Sequence, residues 1–497
     1  MPEPLPVMSP SRPSSQDIAE RVAREDVVTF VNAAFVCTGQ REFYGDTHRQ
    51  AVSIRFLHAY LLGNYRRLYA RSLAAGINDW NKAIVITNLL AAGAPADARE
   101  RAEEGELLFG ALRSLPPPRA LRLLASLRAE GVNNRRARAV ARRYLASRPD
   151  PSFDAVKYRA KVRTIVRHTH AALPAETATF LLAPMSTRKF ETPLYERFRA
   201  AHFAKDAIYE LPFTIAEGLA AKHGVRRDEF LRRIEPRLTA EERRRLQKSS
   251  AAAGVKVDYD LAGASLTKLA LYVLSLPLAE REAKRDELTR ALERAAERAA
   301  SGLDLGARRV AAILDRSHST SGTTEKRRRP LAVALGVHHV LARAAATYRA
   351  FWTLPADDAL LVTARGQTSL AAPLMDAFEW GADEIVIVSD GFENDPPIGA
   401  AELLRVFSAR LDRERRVSIV HVNPVFDAES LAPKALSTVI PTVGLRDAED
   451  LATVLGFARF GGGAARLSEL ESYLTARAAG VIRAALAERP SRNGLDR

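Results

Sequence analysis

Cysteine is nearly absent. Cys37 is the only one among 497 residues, so no disulfide partner exists within the chain and a reducing cytoplasm is the expected compartment. No apolar run approaches the roughly 18 residues of a membrane-crossing helix, and no membrane partner is expected. The opening residues, 1–16, are rich in Pro and Ser and carry no apolar signal-peptide core, so they read as a disordered leader. A phosphate-cradling P-loop, a cysteine nucleophile and a paired acid and base are all missing, and the chain is read as a non-enzyme. Acidic residues are in deficit: 59 Asp plus Glu stand against 74 Lys plus Arg, a formal charge of +15. Nucleic acid is the commonest use of such an excess, and an Arg- and Ala-rich composition is its other source.

The length exceeds the roughly 250–300 residues at which a single core stops growing, which points to two domains. A hydrophobic share of 47% against 27% charged is enough to build a sizeable core. From residue 17 to 302 the pattern is helical, punctuated by Gly93, Pro116-Pro117-Pro118, Pro149, Pro151, Pro184 and Gly254. Segments 47–73, 80–92, 119–129, 133–147 and 201–209 carry apolar residues at i, i+3 and i+4. No clean sequence period appears, so an all-α solenoid here has degenerate repeats. In the segment 133–147, Ala137, Val140, Ala141 and Tyr144 share one face while Arg135, Arg138 and Arg142 line another. A guanidinium row of this kind suits phosphates, although charged helix faces are also commonly just solvated. Lys157, Tyr158, Arg159, Lys161 and Arg167 follow, together with His168 and His170, which lack metal-ligand spacing and read as hydrogen-bonded structural histidines. Residues 280–300 alternate charge as a solvated connector does. The run Lys326-Arg327-Arg328-Arg329-Pro330 opens a helix expected to reach Tyr348, and it contacts either nucleic acid or solvent. His338 and His339 within that helix read as packed residues.

The second half holds a different signal. Val310-Ala-Ala-Ile-Leu is a buried-strand pattern that leads directly into Asp315-Arg-Ser317-His-Ser319. A carboxylate and two hydroxyls leaving a strand end can hold Mg²⁺ or Mn²⁺, and they can equally do no more than cap a helix. Two further segments add oxygen donors: the Gly366 loop brings Thr368, and a second buried-strand pattern, Glu384-Ile-Val-Ile-Val, closes on Asp390.

The set Asp315, Ser317, Ser319, Thr368 and Asp390 resembles the metal-ion-dependent adhesion site of von Willebrand factor A domains over residues 303–485. The resemblance implies a Rossmann-like α/β domain with a divalent cation, Mg²⁺ or Mn²⁺, held by these five residues and one position open to an acidic group of a partner. A second resemblance runs through Tyr144, then Lys157-Tyr158-Arg159-x-Lys161, then Ile165-Val166-Arg167-x-x-His170. It also takes in Gly456-Phe-Ala-Arg-Phe-Gly461 and Leu470-Glu-Ser-Tyr-Leu474. This order resembles the TROVE module of the Ro autoantigen family, with Arg143 and Thr164 standing where relatives carry Trp and Asp. It implies an α plus α/β fold: a HEAT-like helical-repeat ring over residues 17–302, the A domain at 303–485 and a flexible tail at 486–497. By the same resemblance the partner is a small noncoding RNA, with single-stranded ends entering a basic hole and an exoribonuclease or other RNA-processing protein attending. Lys157, Arg159 and Lys161 then face RNA, Arg135, Arg138 and Arg142 contribute a basic surface, and His170 braces the fold. The competing expectation is a protein-interaction adaptor that binds no RNA.

Overall fold

A computed structural model describes residues 14–257, 261 and 263–487. The leader up to residue 13 and the tail from residue 488 lie outside the described residues. The chain forms two compact units, one taking residues up to Asn78 together with Ala299–Ala478, the other taking Asp79–Arg298 and the residues from Ala479 onward.

The first unit contains a five-stranded parallel sheet. Its strands are β1 (Arg309–Leu314), β2 (Thr347–Trp352), β3 (Glu384–Val388), β4 (Ser418–Asn423) and β5 (Thr442–Gly444), in the order β2-β1-β3-β4-β5. The runs read as buried strands are β1 and β3, and only Arg309 at the start of β1 is exposed. Their register pairs Val310 with Glu384 and Leu314 with Val388, so both strands end at one level. On one face Ala311, Ile313, Ile385 and Ile387 pack with Leu374, Ala377, Ala400 and Leu404 from the helices Ala371–Glu379 and Gly399–Val406. The helix Arg329–Ala344 packs on β1 and β2 and contributes nothing to that cluster, so it covers the opposite face. This helix stops short of Tyr348, which lies in β2. Thr347, Tyr348, Phe351 and Trp352 are β-branched or aromatic, and pairing with β1 holds them extended.

The N-terminal helices belong to this unit as well, although the sequence groups them with the helical module. The first, Ser15–Val36, begins inside the expected leader because Ser14 and Asp17 form a reciprocal capping box. Asn32 Nδ2 donates to the carbonyl of Thr442, and a Cβ on Gly444 would lie 2.7 Å from the Asn32 carbonyl oxygen. From the second helix, Thr47–Asn64, buried Gln50 donates to the Phe426 carbonyl and Ser53 to that of Ala428. The expected helix 47–73 breaks at Tyr65 and resumes as Arg66–Arg71. Amphipathic spacing reports that a helix face is covered without naming the cover, which is why these helices read as part of the solenoid.

Among the described residues the second unit is built of helices. Asp79–Ala91, Ala98–Ser114, Pro117–Ser126, Arg135–Ala146 and Arg159–Thr169 match the punctuation of the sequence closely. Segment 201–209 is not one helix. Ala204 is extended, and a 3₁₀ turn, Lys205–Glu210, buries Ile208 and Tyr209 separately from Ala201. Segment 280–300 lies in two helices that break at Lys284, Leu278–Ala283 and Arg285–Ala300, and the second is packed rather than a solvated connector. Arg285–Ala300 buries Leu288, Ala291, Leu292, Ala295 and Ala296, because small alanines between the charges complete an apolar stripe. No helix among the described residues is long and apolar enough to cross a membrane.

The contact at Gly444 yields a prediction. Gly444→Val forces the first helix away from β5 and is expected to lower the unfolding free energy by about 1–3 kcal/mol. Gly456→Ala, at an exposed helical position with open space, should instead be neutral or raise it by up to about 1 kcal/mol. Urea unfolding of both variants checks the contrast.

Candidate functional site

The sheet order reverses between β1 and β3. In an open parallel sheet such a reversal leaves a crevice at the carboxyl ends of the two strands, where ligands bind. Asp315 directly continues β1, and Asp390 lies past the end of β3 after Ser389. The Asp315 amide donates to the Val388 carbonyl at 3.0 Å, which anchors the end of β1 to the end of β3.

Four of the five oxygen donors expected from the sequence meet there. Ser317 Oγ donates to Asp315 Oδ2 at 3.0 Å and lies 3.2 Å from Ser319 Oγ, and Ser319 Oγ donates to Asp390 Oδ2 at 2.6 Å. All four are buried. Thr368 is buried close by, its amide donating to Asn394 Oδ1 at 2.9 Å. Among the described residues the Thr368 hydroxyl bonds none of the other four. Its loop is nevertheless stitched to the β1 loop: the His318 amide donates to the Gly366 carbonyl and the Arg365 amide to that of Arg316. Gly366, at φ +80°, supplies the left-handed turn this loop needs.

Electrostatically the cup is short of positive charge. Burial, and secondly the nearby Asp390 carboxylate, push Asp315 up to about 7, and burial likewise raises Asp390. A donor set of carboxylates and hydroxyls, without sulfur or imidazole, fits a hard dication, whose charge would relieve that repulsion. Among the described residues no three His, Cys, Asp or Glu side chains gather as a metal site, so the hydroxyls are integral to the donor set. Ser317 finds its partners in Asp315 and Ser319, whereas His318 is exposed and turns its ring edge-on to Phe43 at 6.0 Å.

Several residues here carry no sequence signal of their own. Glu393 accepts from the amides of Leu370 and Ala400 at 3.1 and 2.7 Å, tying together the two helices that start beside the cup. Phe392 lies under Lys434, with Nζ 3.6 Å from the ring centroid. The basic run after the cup is largely consumed internally. Lys326 pairs with buried Glu42, and Arg329 pairs with Asp447 at 2.5 Å. Arg327 remains exposed.

In the helical unit, the Arg135–Ala146 helix buries Ala137, Val140, Ala141 and Tyr144, the face read from the sequence. Arg135 and Arg142 are exposed and form no ion pair among the described residues, and Arg138 is half-buried. Their neighbours are committed differently: Arg136 pairs with Glu104, and Arg143 grips Glu106 through two bonds of 2.9 and 2.8 Å. A cavity of about 540 Å³ is lined by Arg101, Gly105, Arg135, Ala139 and Arg143, among others.

The residues around 157–170 divide. Lys157 pairs with Glu242 at 3.7 Å, and Arg159 donates to the carbonyls of Phe180 and Leu181, which places both in internal roles. Lys161 sits 5.6 Å from the half-buried Tyr158 ring, and its pKa is lowered by burial and secondly by Arg122. Arg159 is lowered by burial and by Arg163. Arg167 is exposed. His168 bonds the Val132 carbonyl at 2.9 Å, as a structural histidine should. His170 does not brace the interior. It is exposed and ends its helix in the left-handed region at φ 51°, so its contribution there is made by the backbone.

The molecule is thus of a two-unit class, one unit built of helices among the described residues and one a doubly wound parallel sheet with an oxygen-lined cup at its switch point. No family model and no curated protein matches the chain. Among solved structures it is similar to the crystal structure of the Ro (RSR) protein of Deinococcus radiodurans. The two are 16% identical, the match covers 88% of this chain and 99% of that one, and the TM-score is 0.49.

His421 supports the turn that delivers Asp390. It is fully buried, 3.0 Å from Ser389 Oγ and 3.1 Å from Thr442 Oγ1. Burial lowers its pKa to about 4, so it stays neutral in the fold while the unfolded chain takes up a proton below about 6.5. Its contribution to stability is therefore present above pH 6.5 and lost as pH falls toward 4. The gap in unfolding free energy between wild type and His421→Gln should shrink by about 3 kcal/mol from pH 7 to pH 4, as read by denaturant unfolding.

Proposed function

We propose that the protein is a non-catalytic RNA-binding scaffold, with the helical unit gripping a small noncoding RNA and the cup of the sheet unit holding Mg²⁺ or Mn²⁺. The observation that carries the RNA reading is the unequal treatment of arginines on one helix. Arg136 and Arg143 are provided with Glu104 and Glu106, whereas Arg135 and Arg142 are exposed and pair with no carboxylate among the described residues. Lys161, whose pKa is lowered by burial and secondly by Arg122, adds positive potential that a phosphate backbone would neutralise. The TROVE-like motif order supports the same reading, and with it single-stranded RNA ends as ligands and an RNA-processing enzyme such as an exoribonuclease as partner.

The cation reading rests on four buried oxygens meeting where β1 and β3 diverge. Asp315, Ser317, Ser319 and Asp390 would hold the ion, and Thr368 would join them as in the adhesion site of von Willebrand factor A domains. The ion would supply positive charge to two crowded carboxylates and a point of attachment for acidic groups.

Replacing Arg135, Arg138 and Arg142 together by Glu is expected to abolish RNA retention in a gel-mobility assay. The weaker triple Ala variant should flatten the dependence of log affinity on log salt by about 2 to 3, one per lost phosphate contact. An unchanged slope removes these residues from the interface. The internal commitments of Lys157 and Arg159 favour the second reading, a protein adaptor without RNA. Ribonuclease treatment of the purified protein separates the two, since a scaffold arrives with RNA and loses its absorbance excess at 260 nm. For the cation, calorimetric titration with Mg²⁺ should give heat with wild type and none with Asp315→Ala, and equal heats would refute the site.

A further inference from the structure

The cavity in the helical unit is walled by the helices Ala98–Ser114 and Arg135–Ala146. Its volume of about 540 Å³ falls within the roughly 300–1,000 Å³ of small-ligand sites. The space exists because small residues face it. Ala102 and Gly105 come from the first helix and Ala139 from the second, and a Cβ built on Gly105 would meet no atom within 4 Å. Glycine inside a helix costs stability, and no neighbouring element takes up the room it leaves. Val140 adds an apolar side to the recess.

One wall is a flat cation. Arg143 lines the cavity, lies 3.7 Å over the ring of Phe109, and holds both oxygens of Glu106 at 2.9 and 2.8 Å. Phe109 covers one face of the guanidinium and Glu106 takes one edge, yet the side chain is still 32% exposed, which leaves the opposite face as a fixed planar surface. Guanidinium planes stack on the heterocyclic bases of nucleic acids. The remaining charge is unmatched. Glu106 is the one carboxylate of the lining among the described residues, and Arg143 occupies it. Arg101 reaches only the carbonyls of Pro95 and Ala96, at 3.2 and 3.3 Å, and Arg135 is exposed; neither forms an ion pair among the described residues. Both stand near the starts of their helices, whose first amides add to the attraction for an anion.

We propose that this cavity is a nucleotide site: a base enters between Gly105 and Ala139 and stacks on Arg143, while Arg101 and Arg135 hold its phosphate. This rests on the RNA reading above and deepens it. The row Arg135, Arg138 and Arg142 then follows the backbone, and the recess accepts one base turned out of the strand. A base paired within a double helix cannot enter such a recess, so the site selects single-stranded or flipped-out nucleotides. A free mononucleotide carries the same chemistry, and the two sources separate in the test.

The fluorescent base 2-aminopurine, which dims when stacked, reads the site on the full chain. Two probes carry it: a 5′-mononucleotide, and a single-stranded RNA with the analogue at alternate positions. Wild type should bind and dim both. Gly105→Ala and Gly105→Leu fill the recess in steps, and Ala139→Leu fills it from the facing helix at an exposed position. Dimming and affinity should fall as the side chain grows, by about 5- to 150-fold for the two Leu variants, the worth of one base stack. Helices prefer Ala or Leu to Gly, so a purely structural role for Gly105 predicts a higher melting temperature with probe binding unchanged. Arg101→Ala should weaken both probes and lower the salt slope for the RNA by about 1. If wild type binds the RNA and both Leu variants match it in affinity and dimming, the RNA reading stands and the nucleotide site is overturned. If wild type binds the mononucleotide alone and the Leu variants lose it, the site stands for a free nucleotide and the RNA reading falls. If wild type binds neither probe, both fall.

Discussion

The parallel pairing of β1 with β3 is the constraint on which the candidate site depends. Consecutive strands usually lie side by side, and here the chain instead returns to place β3 against β1 after β2 has been laid on the other edge. Register then does the rest. Because Leu314 sits opposite Val388, the residues just beyond them emerge together, and the Asp315 amide bond to Val388 closes the last rung. Two carboxylates more than seventy residues apart in the chain become neighbours. A slip of one residue between these strands would turn every side chain to the other face and disperse the cup.

Holding two carboxylates in a buried crevice is costly unless something compensates. Part of the compensation is internal, from the serine hydroxyls and the backbone amides of Ser317 and Phe392. The remainder appears as the raised pKa of both groups. The surrounding scaffold is arranged to keep them there regardless: Glu393 fastens two helix starts, His421 holds Ser389 from below, and the Glu42–Lys326 pair pins the loop above. Each of these supports lies on a different segment. The cup is therefore a product of the whole unit, including helices from the first 78 residues.

The helical unit follows a different logic. Its charge is ample, and what separates a binding surface from ordinary structure is which cations the fold has already matched with carboxylates or carbonyls. Arg159 is used to terminate a helix and Lys157 to hold a neighbouring one, so membership in a basic motif does not by itself place a residue at a surface. Arg135 and Arg142 differ from Arg136 and Arg143 in nothing but their position around a helix whose other face meets the carboxylates of Glu104 and Glu106.

Much of this was legible beforehand. Apolar strings ending in Asp315 and Asp390 announced buried parallel strands with oxygen donors at their tips, because full burial demands continuous apolar side chains. Ala137, Val140, Ala141 and Tyr144 announced the covered face of a helix, because 3.6-residue periodicity is a local property of the backbone. Other matters were beyond local reading. That the first helix packs on β5 and the second bonds the loop after β4, that 285–300 buries an apolar stripe, and that Tyr348 leaves its helix for a strand edge are all decided by contacts between distant segments. The sequence alone determined which residue types stand at which spacing, and through that the elements and the chemistry available at their ends. Only the tertiary structure decided which of those ends meet and which charges are spent on one another, since burial and pairing are properties of neighbours in space.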